Sequence, residues 1–543
     1  MPPDERIMAT ITIDEKQYTV EEGRNLIDAA SDLGIDIPHF CYHPGLAPDG
    51  NCRMCLTEME IRPGQFGIVT SCTIRIKDGM NFRFNSPAVL DNRKGIMEFL
   101  LINHPLDCPW CDQAGECKLQ DHSFDHGRGH SRFVETKRVP PKKDLGPHIT
   151  LYTTRCILCQ RCTRFCDEIS GTSELGVVQM GSKSEIATFE DVPLDNKMSA
   201  NVADICPVGA LVTKDFLYKP RIWHYDKVDT VCPGCATGCN TTLETMHQKI
   251  YRTKPRHNES VNGYWMCDEG RFCYHGWQDA DRLTAPLRRV DGELEQATWP
   301  DAMDAAVSGI RAVLDGEGDS AMVVVGSPMA TNEENFVLRK LGAEAFGSPR
   351  TGLDSKPEGE AWTSKSGFHI DADKAPNTRG ARDMLGAGSL EDILRGIEDG
   401  TIRGLYVLGG DIGRTLSPEE TDAFRKLEFL VVHDVHRSDL AELADVVFPG
   451  SIPFEKNGTM TNAQGRVQRL SPAFPPPGGA REDLAILRYV GQRMGADLGG
   501  TDPAGVLEEI AGNVKGYAGL TYDLIGDQGA MTGGEGPSEA AGG

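Results

Sequence analysis

The stretch Cys156-Ile157-Leu158-Cys159-Gln160-Arg161-Cys162 holds three cysteines at two-residue gaps, and a fourth cysteine follows at a distance in Cys206-Pro207. A chain that wraps an iron–sulfur cube supplies three thiolates from such a run and the fourth from a remote Cys-Pro. Zinc is the alternative, because tetrahedral zinc sites use two separated Cys-x2-Cys pairs. We call these four cysteines the third set and predict that they bind a [4Fe–4S] cluster rather than a structural zinc ion.

Cys166 would extend the run, but the fourth cysteine of such a motif normally serves a second cluster and precedes proline. Asp167 follows it here, and no second triplet of this kind exists. We therefore predict that Cys166 is a buried spare. Cys273 is also left without an assignment.

The first set lies upstream, with the spacing C-x10-C-x2-C-x16-C: Cys41, Cys52, Cys55 and Cys72. Residues 10–14 alternate like a strand, a second strand is predicted near Tyr18, and residues 22–33 carry apolar side chains at helical spacing. This pattern indicates a small ferredoxin domain. Plant-type ferredoxins have a shorter first gap, C-x4-C-x2-C, but three clustered ligands and one remote ligand still suit a [2Fe–2S] cluster.

The second set begins with a histidine: His104, Cys108, Cys111 and Cys117. A lone histidine is usually a packing residue, but this one precedes three close cysteines that lack a fourth thiolate. Imidazole is an accepted substitute and tends to raise the potential of a cluster. We predict a [4Fe–4S] cluster with one histidine ligand.

The composition excludes several other classes of protein. The chain has 543 residues, 80 acidic against 56 basic side chains and a net charge of -24, which disfavours nucleic-acid binding. Residues 1–10 show no signal peptide, so a disulfide framework is not expected. No apolar run reaches the roughly 18 residues that a membrane span requires, and we expect no direct membrane span.

The fourth set, C-x2-C-x3-C-x27-C, resembles the cluster-binding segment at the front of molybdopterin oxidoreductases: Cys232, Cys235, Cys239 and Cys267. The resemblance continues in Arg282-Leu-x-x-Pro286-Leu, in Trp299-x-x-Ala302 and in the segment from Glu455 to Gln468. Buried-strand patterns at 322–326, 405–409 and 429–434 alternate with predicted helices, which indicates a parallel, doubly wound sheet. His433 and His436 are predicted to be surface or packing residues.

In this order the four sets resemble the large iron–sulfur subunit of respiratory complex I, the bacterial NADH-quinone oxidoreductase. The resemblance implies one [2Fe–2S] and three [4Fe–4S] clusters, no catalytic residue for hydride transfer, and partners that are the flavin/NADH-binding subunit and the quinone-side iron–sulfur subunits. It also implies a cytoplasmic location, peripheral to the inner face of the membrane. As a hypothesis, the first and second sets lie near the flavin partner and the third set lies next toward quinone. In the family the fourth set lies off the main route.

An NAD-linked formate dehydrogenase or hydrogenase complex is the alternative. Iron-only hydrogenases need further cysteines, and none follows Cys273. The relay subunits of NAD-linked hydrogenases lack the long C-terminal body found here. Formate dehydrogenases carry a complete molybdenum-binding body, whereas residues 284–500 are too few for one. Molybdenum enzymes also have a lysine two residues after the last cysteine, where Glu269 stands. We expect a scaffold without molybdopterin.

The predicted fold is α+β and multidomain, with the following boundaries: an N-terminal β-grasp [2Fe–2S] ferredoxin-like domain (1–85), a [4Fe–4S] domain with one histidine and three cysteine ligands (86–135), a [4Fe–4S] ferredoxin-like domain (136–226), a molybdopterin-oxidoreductase-type [4Fe–4S] domain (227–283), a truncated α/β molybdopterin-oxidoreductase-like body (284–525) and a disordered tail (526–543).

Overall fold

The structure is a computed structural model that describes residues 7–189, 192–278, 281–353, 358–386, 388–409, 416–500 and 502–533. The chain divides into two units. Unit 1 comprises residues 1–225 and 364–368, and unit 2 comprises residues 226–363 and 369–543. The division falls beside the boundary predicted at residue 226, while the finer domain boundaries stay predictions.

Unit 1 begins with a five-stranded sheet in the order β2-β1-β5-β3-β4, in which β1 and β5 are parallel. The elements of unit 1 are β1 (Met8–Ile13), β2 (Lys16–Glu21), α1 (Leu26–Asp32), β3 (Leu56–Arg62), β4 (Gln65–Thr70), β5 (Asn81–Arg83), α2 (Pro87–Leu101), α3 (Lys118–His126), β6 (Lys143–Asp144), β7 (Ile149–Leu151), α4 (Arg161–Arg164), β8 (Leu175–Val178), β9 (Glu185–Thr188), α5 (Asn201–Ile205) and β10 (Leu211–Thr213).

The ferredoxin-like pattern predicted for the N-terminus is confirmed by this sheet. Alternate residues of β1 point inward, and Ile11, Leu26 and Phe82 belong to the same buried core. Helix α1 begins later than residue 22, because the Asn25 side chain caps it by accepting a hydrogen bond from Ile27 N at 2.9 Å. The remaining strands of unit 1 form a three-stranded sheet, β10-β7-β6, and the hairpin β8-β9.

Unit 2 is built around a seven-stranded sheet in the order β15-β14-β22-β21-β20-β16-β17. The elements of unit 2 are β11 (Asp226–Val231), β12 (Asn240–Met246), β13 (Lys249–Pro255), α6 (Asp268–Phe272), α7 (Tyr274–Gln278), β14 (Leu287–Val290), β15 (Glu293–Gln296), α8 (Trp299–Glu317), β16 (Met322–Gly326), α9 (Asn332–Lys340), β17 (Thr351–Leu353), β18 (Trp362–Thr363), β19 (His369–Ile370), α10 (Thr378–Leu385), α11 (Leu390–Glu398), β20 (Gly404–Val407), α12 (Pro418–Phe424), β21 (Phe429–Asp434), α13 (Asp439–Leu443), β22 (Val446–Pro449), β23 (Gly458–Thr461), β24 (Arg466–Leu470), α14 (Asp483–Met494), α15 (Pro503–Asn513), α16 (Tyr522–Ile525) and β25 (Ala530–Met531).

The five strands from β22 to β17 run parallel, as the buried-strand patterns predicted. Successive residues of β16 belong to different cores: Val324 packs into one hydrophobic cluster and Val323 into another. Both faces of the sheet are therefore covered, which is why β16 is apolar and buried at every position. The chain reverses its direction of winding between β16 and β20, the place where open α/β sheets form their ligand crevices.

The predicted disordered tail begins too early. Residues 526–533 are ordered, because β25 pairs antiparallel with β24 and Thr532 N donates to Gly465 O at 2.8 Å. The rest of the predicted tail, 534–543, lies outside the described residues. Among the described helices, none combines the length and the apolar character that a membrane crossing requires.

A buried ionic network holds the edge of the seven-stranded sheet at the carboxyl ends of its parallel strands. Lys456 Nζ donates to both carboxylate oxygens of Glu334 at 2.9 Å and to Asp483 Oδ2 at 2.6 Å. Asp483 Oδ1 lies 2.9 Å from His433 Nδ1, and His433 Nε2 lies 2.7 Å from the Tyr406 hydroxyl. His433 is fully buried, so its predicted role as a packing residue is confirmed.

Lys456→Met should destabilise unit 2 by about 3–5 kcal/mol, since it leaves two carboxylates buried without their cation. Chemical denaturation monitored by circular dichroism measures the loss. Lys426→Met is the matched control at an exposed lysine and should change stability by less than about 0.5 kcal/mol. Equal stability of the two variants would contradict a structural role for the network.

Candidate iron–sulfur sites

The four cysteines of the first set come together in unit 1. The Cys41 side chain is hydrogen-bonded to those of Cys52 and Cys72, and Cys72 is also hydrogen-bonded to Cys55. Cys52 Sγ accepts the backbone N–H groups of Phe40 and Cys41, each at 3.4 Å. These contacts bring all four thiols to one place at the edge of the ferredoxin core.

Three of the four cysteines of the third set are buried, and Cys156 is half-buried. Burial raises the pKa of Cys156 and Cys159 to about 12, and it also raises the pKa of Cys162 and Cys206. All four thiols are close enough to act on one another electrostatically, so their side chains form one group. Without a metal these thiols would stay protonated, and iron would take the place of the protons.

The loop of the third set turns sharply between its cysteines. Leu158 and Gln160 have φ values of 53° and 58°, in the left-handed region, so the backbone reverses direction between successive ligands. Leu158 N donates to Cys156 Sγ at 3.4 Å. Such N–H groups would stabilise the negative charge of a coordinated thiolate. Cys166 is buried, as predicted, and its thiol is hydrogen-bonded to Glu174.

The second set lies nearer the surface of unit 1. Burial, followed by the charge of Lys137, lowers the pKa of His104 to about 4, so the imidazole is neutral at pH 7. The neutral ring is the form that binds metal. Burial raises the pKa of Cys117 to about 11, whereas Cys108 is exposed. Among the three sets of unit 1, the second is therefore the one with an exposed cysteine.

Gly209, three residues after Cys206, makes room for the second set. A Cβ atom there would lie 2.1 Å from Cys111 Sγ, which only glycine avoids. The backbone that follows the remote ligand of the third set therefore passes directly over a ligand of the second. The sequence marked Cys206-Pro207, and Gly209 was not singled out.

The loop of the third set contacts both neighbouring sets. Towards the first set, Asn51 Nδ2 donates to Leu158 O at 2.8 Å. Towards the second set, Arg155 Nε donates to Asp107 Oδ2 at 3.0 Å, beside Cys108. The first and second sets also meet, through the Phe40 and His122 rings at a centroid distance of 5.2 Å. The three sets thus share one packed region of unit 1.

The fourth set lies in unit 2, and all four of its cysteines are buried. Cys267 Sγ accepts the Gly270 N–H at 3.2 Å, and a Cβ atom at Gly270 would lie 2.8 Å from Cys232 Sγ. Glycine is therefore required where the backbone approaches both sulfurs. Cys273, unassigned from the sequence, is hydrogen-bonded to Cys232.

The donor sets suit clusters. A zinc ion holds four donors on one metal, whereas a [2Fe–2S] cluster holds two thiolates on each iron and a [4Fe–4S] cluster holds one on each. Buried thiols in groups of three or four, approached by backbone N–H groups and glycines, are the environment that a cluster requires.

The part of the unit 2 crevice that the described residues line is small. It lies at the carboxyl ends of the parallel strands and has a volume of about 30 Å³, room for little more than one water molecule. Sites for large organic ligands measure about 300–1,000 Å³. The Lys456 network fills the space. Glu269, where molybdenum enzymes have a lysine, is ion-paired with Lys374 at 3.0 Å.

Five family models match consecutive parts of the chain. They are the 2Fe-2S iron-sulfur cluster binding domain (7–87), the NADH-ubiquinone oxidoreductase-G iron-sulfur binding region (93–132), the ferredoxin-like domain of NADH-quinone oxidoreductase subunit 3 (146–212), the Molybdopterin oxidoreductase Fe4S4 domain (225–276) and Molybdopterin oxidoreductase (282–359 and 374–493). Their order bears out the predicted succession of cluster-binding regions and a molybdopterin-oxidoreductase-like body.

Curated relatives bear the names of complex I subunits. The G subunit of NADH-quinone oxidoreductase from Rickettsia felis is 40% identical over 62% of this chain and 49% of its own length. The NADH-ubiquinone oxidoreductase 75 kDa subunit of Reclinomonas americana is 37% identical over 64% of this chain and 49% of its own length. The chain thus spans about half the length of these relatives.

A mitochondrial relative is matched over most of its length. The NADH-ubiquinone oxidoreductase 78 kDa subunit of Neurospora crassa is 31% identical over 95% of this chain and 84% of its own length. With cluster-binding domains in the same order and a match of this extent, the chain belongs to the family that comprises the G subunit of NADH-quinone oxidoreductase and the mitochondrial 75–78 kDa subunit.

Proposed function

We propose that this chain is an iron–sulfur electron-relay subunit of an NADH:quinone oxidoreductase. The observation that carries the proposal is the packing of three ligand sets in unit 1, with the loop of the third set in contact with both others. Membership of the family supports it. The partners we propose are the flavin/NADH-binding subunit and the quinone-side iron–sulfur subunits, at the inner face of the cytoplasmic membrane.

The proposed ligands are the four sets predicted from the sequence, with one [2Fe–2S] cluster at the first set and [4Fe–4S] clusters at the second, third and fourth. A bound cluster would supply one-electron transfer. The chain's own residues hold the thiolates, exclude water and direct N–H groups and charges towards sulfur, and these features set the potential. The five predicted domains that precede the tail are likewise part of the proposal, and the fifth is extended to residue 533.

The proposed route passes through unit 1. The loop of the third set contacts both of its neighbours, and on that ground the route that we propose runs from the first set through the third to the second. The second set, with its exposed Cys108, would then face a quinone-side iron–sulfur subunit. This route revises the sequence-based hypothesis that the first and second sets lie near the flavin partner and the third lies next toward quinone. The fourth set lies in unit 2, and the proposed route does not include it. A formate dehydrogenase is not favoured, because the crevice residues of unit 2 do not suit a pterin.

Metal analysis of the anaerobically purified chain tests the proposal. Four filled sets should give about 14 iron per chain without stoichiometric zinc, molybdenum or tungsten. Cys162→Ala should lower the iron content, because it removes a ligand of the third set. Cys166→Ala is the matched control, four residues away and equally buried, and should keep the full content. Zinc in place of iron would refute the relay, and stoichiometric molybdenum would favour the formate dehydrogenase alternative.

Cys156→Ala should strongly reduce NADH-to-quinone flux in the assembled complex while sparing NADH-to-ferricyanide activity. The reason is that ferricyanide can take electrons near the flavin, whereas quinone is reached only through the relay. Both rates are measured on the same membranes, with Cys166→Ala as the control that should leave them unchanged. An undiminished quinone flux would remove the third set from the route.

His104→Cys should lower the potential of the second-set cluster without abolishing it, since thiolate donates more negative charge than neutral imidazole. A redox titration followed by EPR measures the shift. His130→Cys, at an exposed histidine, is the control and should not change the potential. If the potential of the His104→Cys cluster equals that of the unaltered chain, His104 is not a ligand.

A further inference from the structure

Arg161 is a buried cation that joins the first and third sets. It lies in the third-set loop between Cys159 and Cys162, and the residue is only 5% exposed. Nη1 donates to Ile205 O at 3.0 Å, next to the remote ligand Cys206. Nη2 donates to Tyr42 O, next to Cys41. One guanidinium therefore donates hydrogen bonds to backbone carbonyls beside ligands of two different sets.

The side chain has no carboxylate partner within the described residues, and its Nε–H is buried without a hydrogen-bond acceptor. Backbone carbonyls satisfy donors but carry no countercharge. A buried, unpaired charge costs several kcal/mol, so an arginine in this position needs an anion close by. The thiols that act on it electrostatically are Cys159, Cys206 and Cys41, all of them proposed cluster ligands.

Two other cations lie near Arg161. Arg164 donates to Cys41 O and Ala47 O, and the charge of Arg161 also acts on Lys118. Asp36 and Asp121 act on Lys118, whereas the groups of opposite charge that act on Arg161 are the ligand thiols. Coordinated thiolates would supply the negative charge that Arg161 lacks from carboxylates.

We propose that Arg161 is a positioning residue that holds the first and third sets together and raises the reduction potentials of the clusters at both. The inference rests on the proposed assignment of clusters to these sets. Reduction adds one electron, and so one negative charge, to a cluster. A nearby cation therefore stabilises the reduced state more than the oxidised state. Arg161 exchanges neither electron nor proton in the transfer itself.

Arg155 offers a matched comparison within the same loop. It is equally buried, at 5% exposure, but it faces the second set and has a carboxylate partner, Asp107, at 3.0 Å. Arg155 and Arg161 thus differ in the set that they face and in whether the chain neutralises their charge. Loss of Arg155 should leave the reduction potential at the first set unchanged. It should shift the potential at the third set less than loss of Arg161 does.

The test is an EPR-monitored redox titration of the full chain, purified anaerobically with its clusters, for Arg161→Gln and Arg161→Lys. Arg161→Gln should shift the ratio of oxidised to reduced cluster at a fixed potential about tenfold towards the oxidised form at both sets, equivalent to about 59 mV for one electron. Arg161→Lys keeps the charge and should restore most of the potential at both sets. Arg155→Gln should leave the first-set potential unchanged.

Unchanged potentials in Arg161→Gln, with both EPR signals present, would overturn the inference. So would equal shifts in the Gln and Lys variants, since those would reflect lost shape rather than lost charge. If the Gln variant fails to assemble its clusters, the Lys variant decides: assembly with near-normal potentials supports the inference, and loss of both clusters refutes it. Absence of the clusters from the unaltered chain is a separate result that would refute the proposed function instead.

Arg289→Met is a control for the loss of an arginine that donates hydrogen bonds to backbone carbonyls. In unit 2, Arg289 Nη2 donates to Glu442 O at 2.6 Å and to Ala444 O at 2.9 Å, and none of its hydrogen-bond partners is a ligand cysteine. Its replacement should leave the potentials of the first and third sets unchanged. A shift there in this variant would mean that the potentials follow general loosening of the chain, which would contradict the inference.

Discussion

Burial of cysteine thiols without disulfides is the constraint on which both units depend. The cysteines are free, and most members of the four sets are buried. Burial favours the neutral thiol, so unit 1 gains nothing from the ionised form of the third set unless a metal replaces the protons. In the absence of a metal, buried sulfur at these positions adds little that ordinary apolar side chains would not supply. The ligand loops, their left-handed residues and their glycines make physical sense as the wall of a cluster site.

Charge is arranged differently in the two units, and the difference explains what each can do. In unit 1, Arg161 has no carboxylate partner among the described residues, and thiols of the first and third sets act on it. In unit 2, Lys456 lies between two carboxylates, so the cation at the sheet edge is already paired. A centre that carries electrons benefits from uncompensated cations beside it, because they stabilise the added negative charge. A crevice whose cation is already paired with carboxylates attracts an anionic cofactor only weakly.

The body of unit 2 retains the architecture of a ligand-binding sheet. The five parallel strands reverse their winding between β16 and β20, and the crevice lies at that point. His433, Lys456 and Asp483 line the crevice and hydrogen-bond within one network. The match of this body to the Molybdopterin oxidoreductase family models accounts for the ligand-binding architecture that it retains.

The sequence by itself was enough to predict the ligand sets, because coordination depends on residue type and on spacing within one loop, as in Cys156, Cys159 and Cys162. It also determined the parallel sheet, since a strand buried on both faces is apolar at every position, as β16 is. The sequence did not predict that residues 526–533 include a strand, because β25 depends on pairing with β24 rather than on composition. Only the tertiary structure decided how the sets meet. Arg161 reaches Tyr42 across 119 residues of sequence, and Gly209 lies over Cys111. No local pattern encodes such contacts, because they arise when separate loops pack around the same buried sulfur.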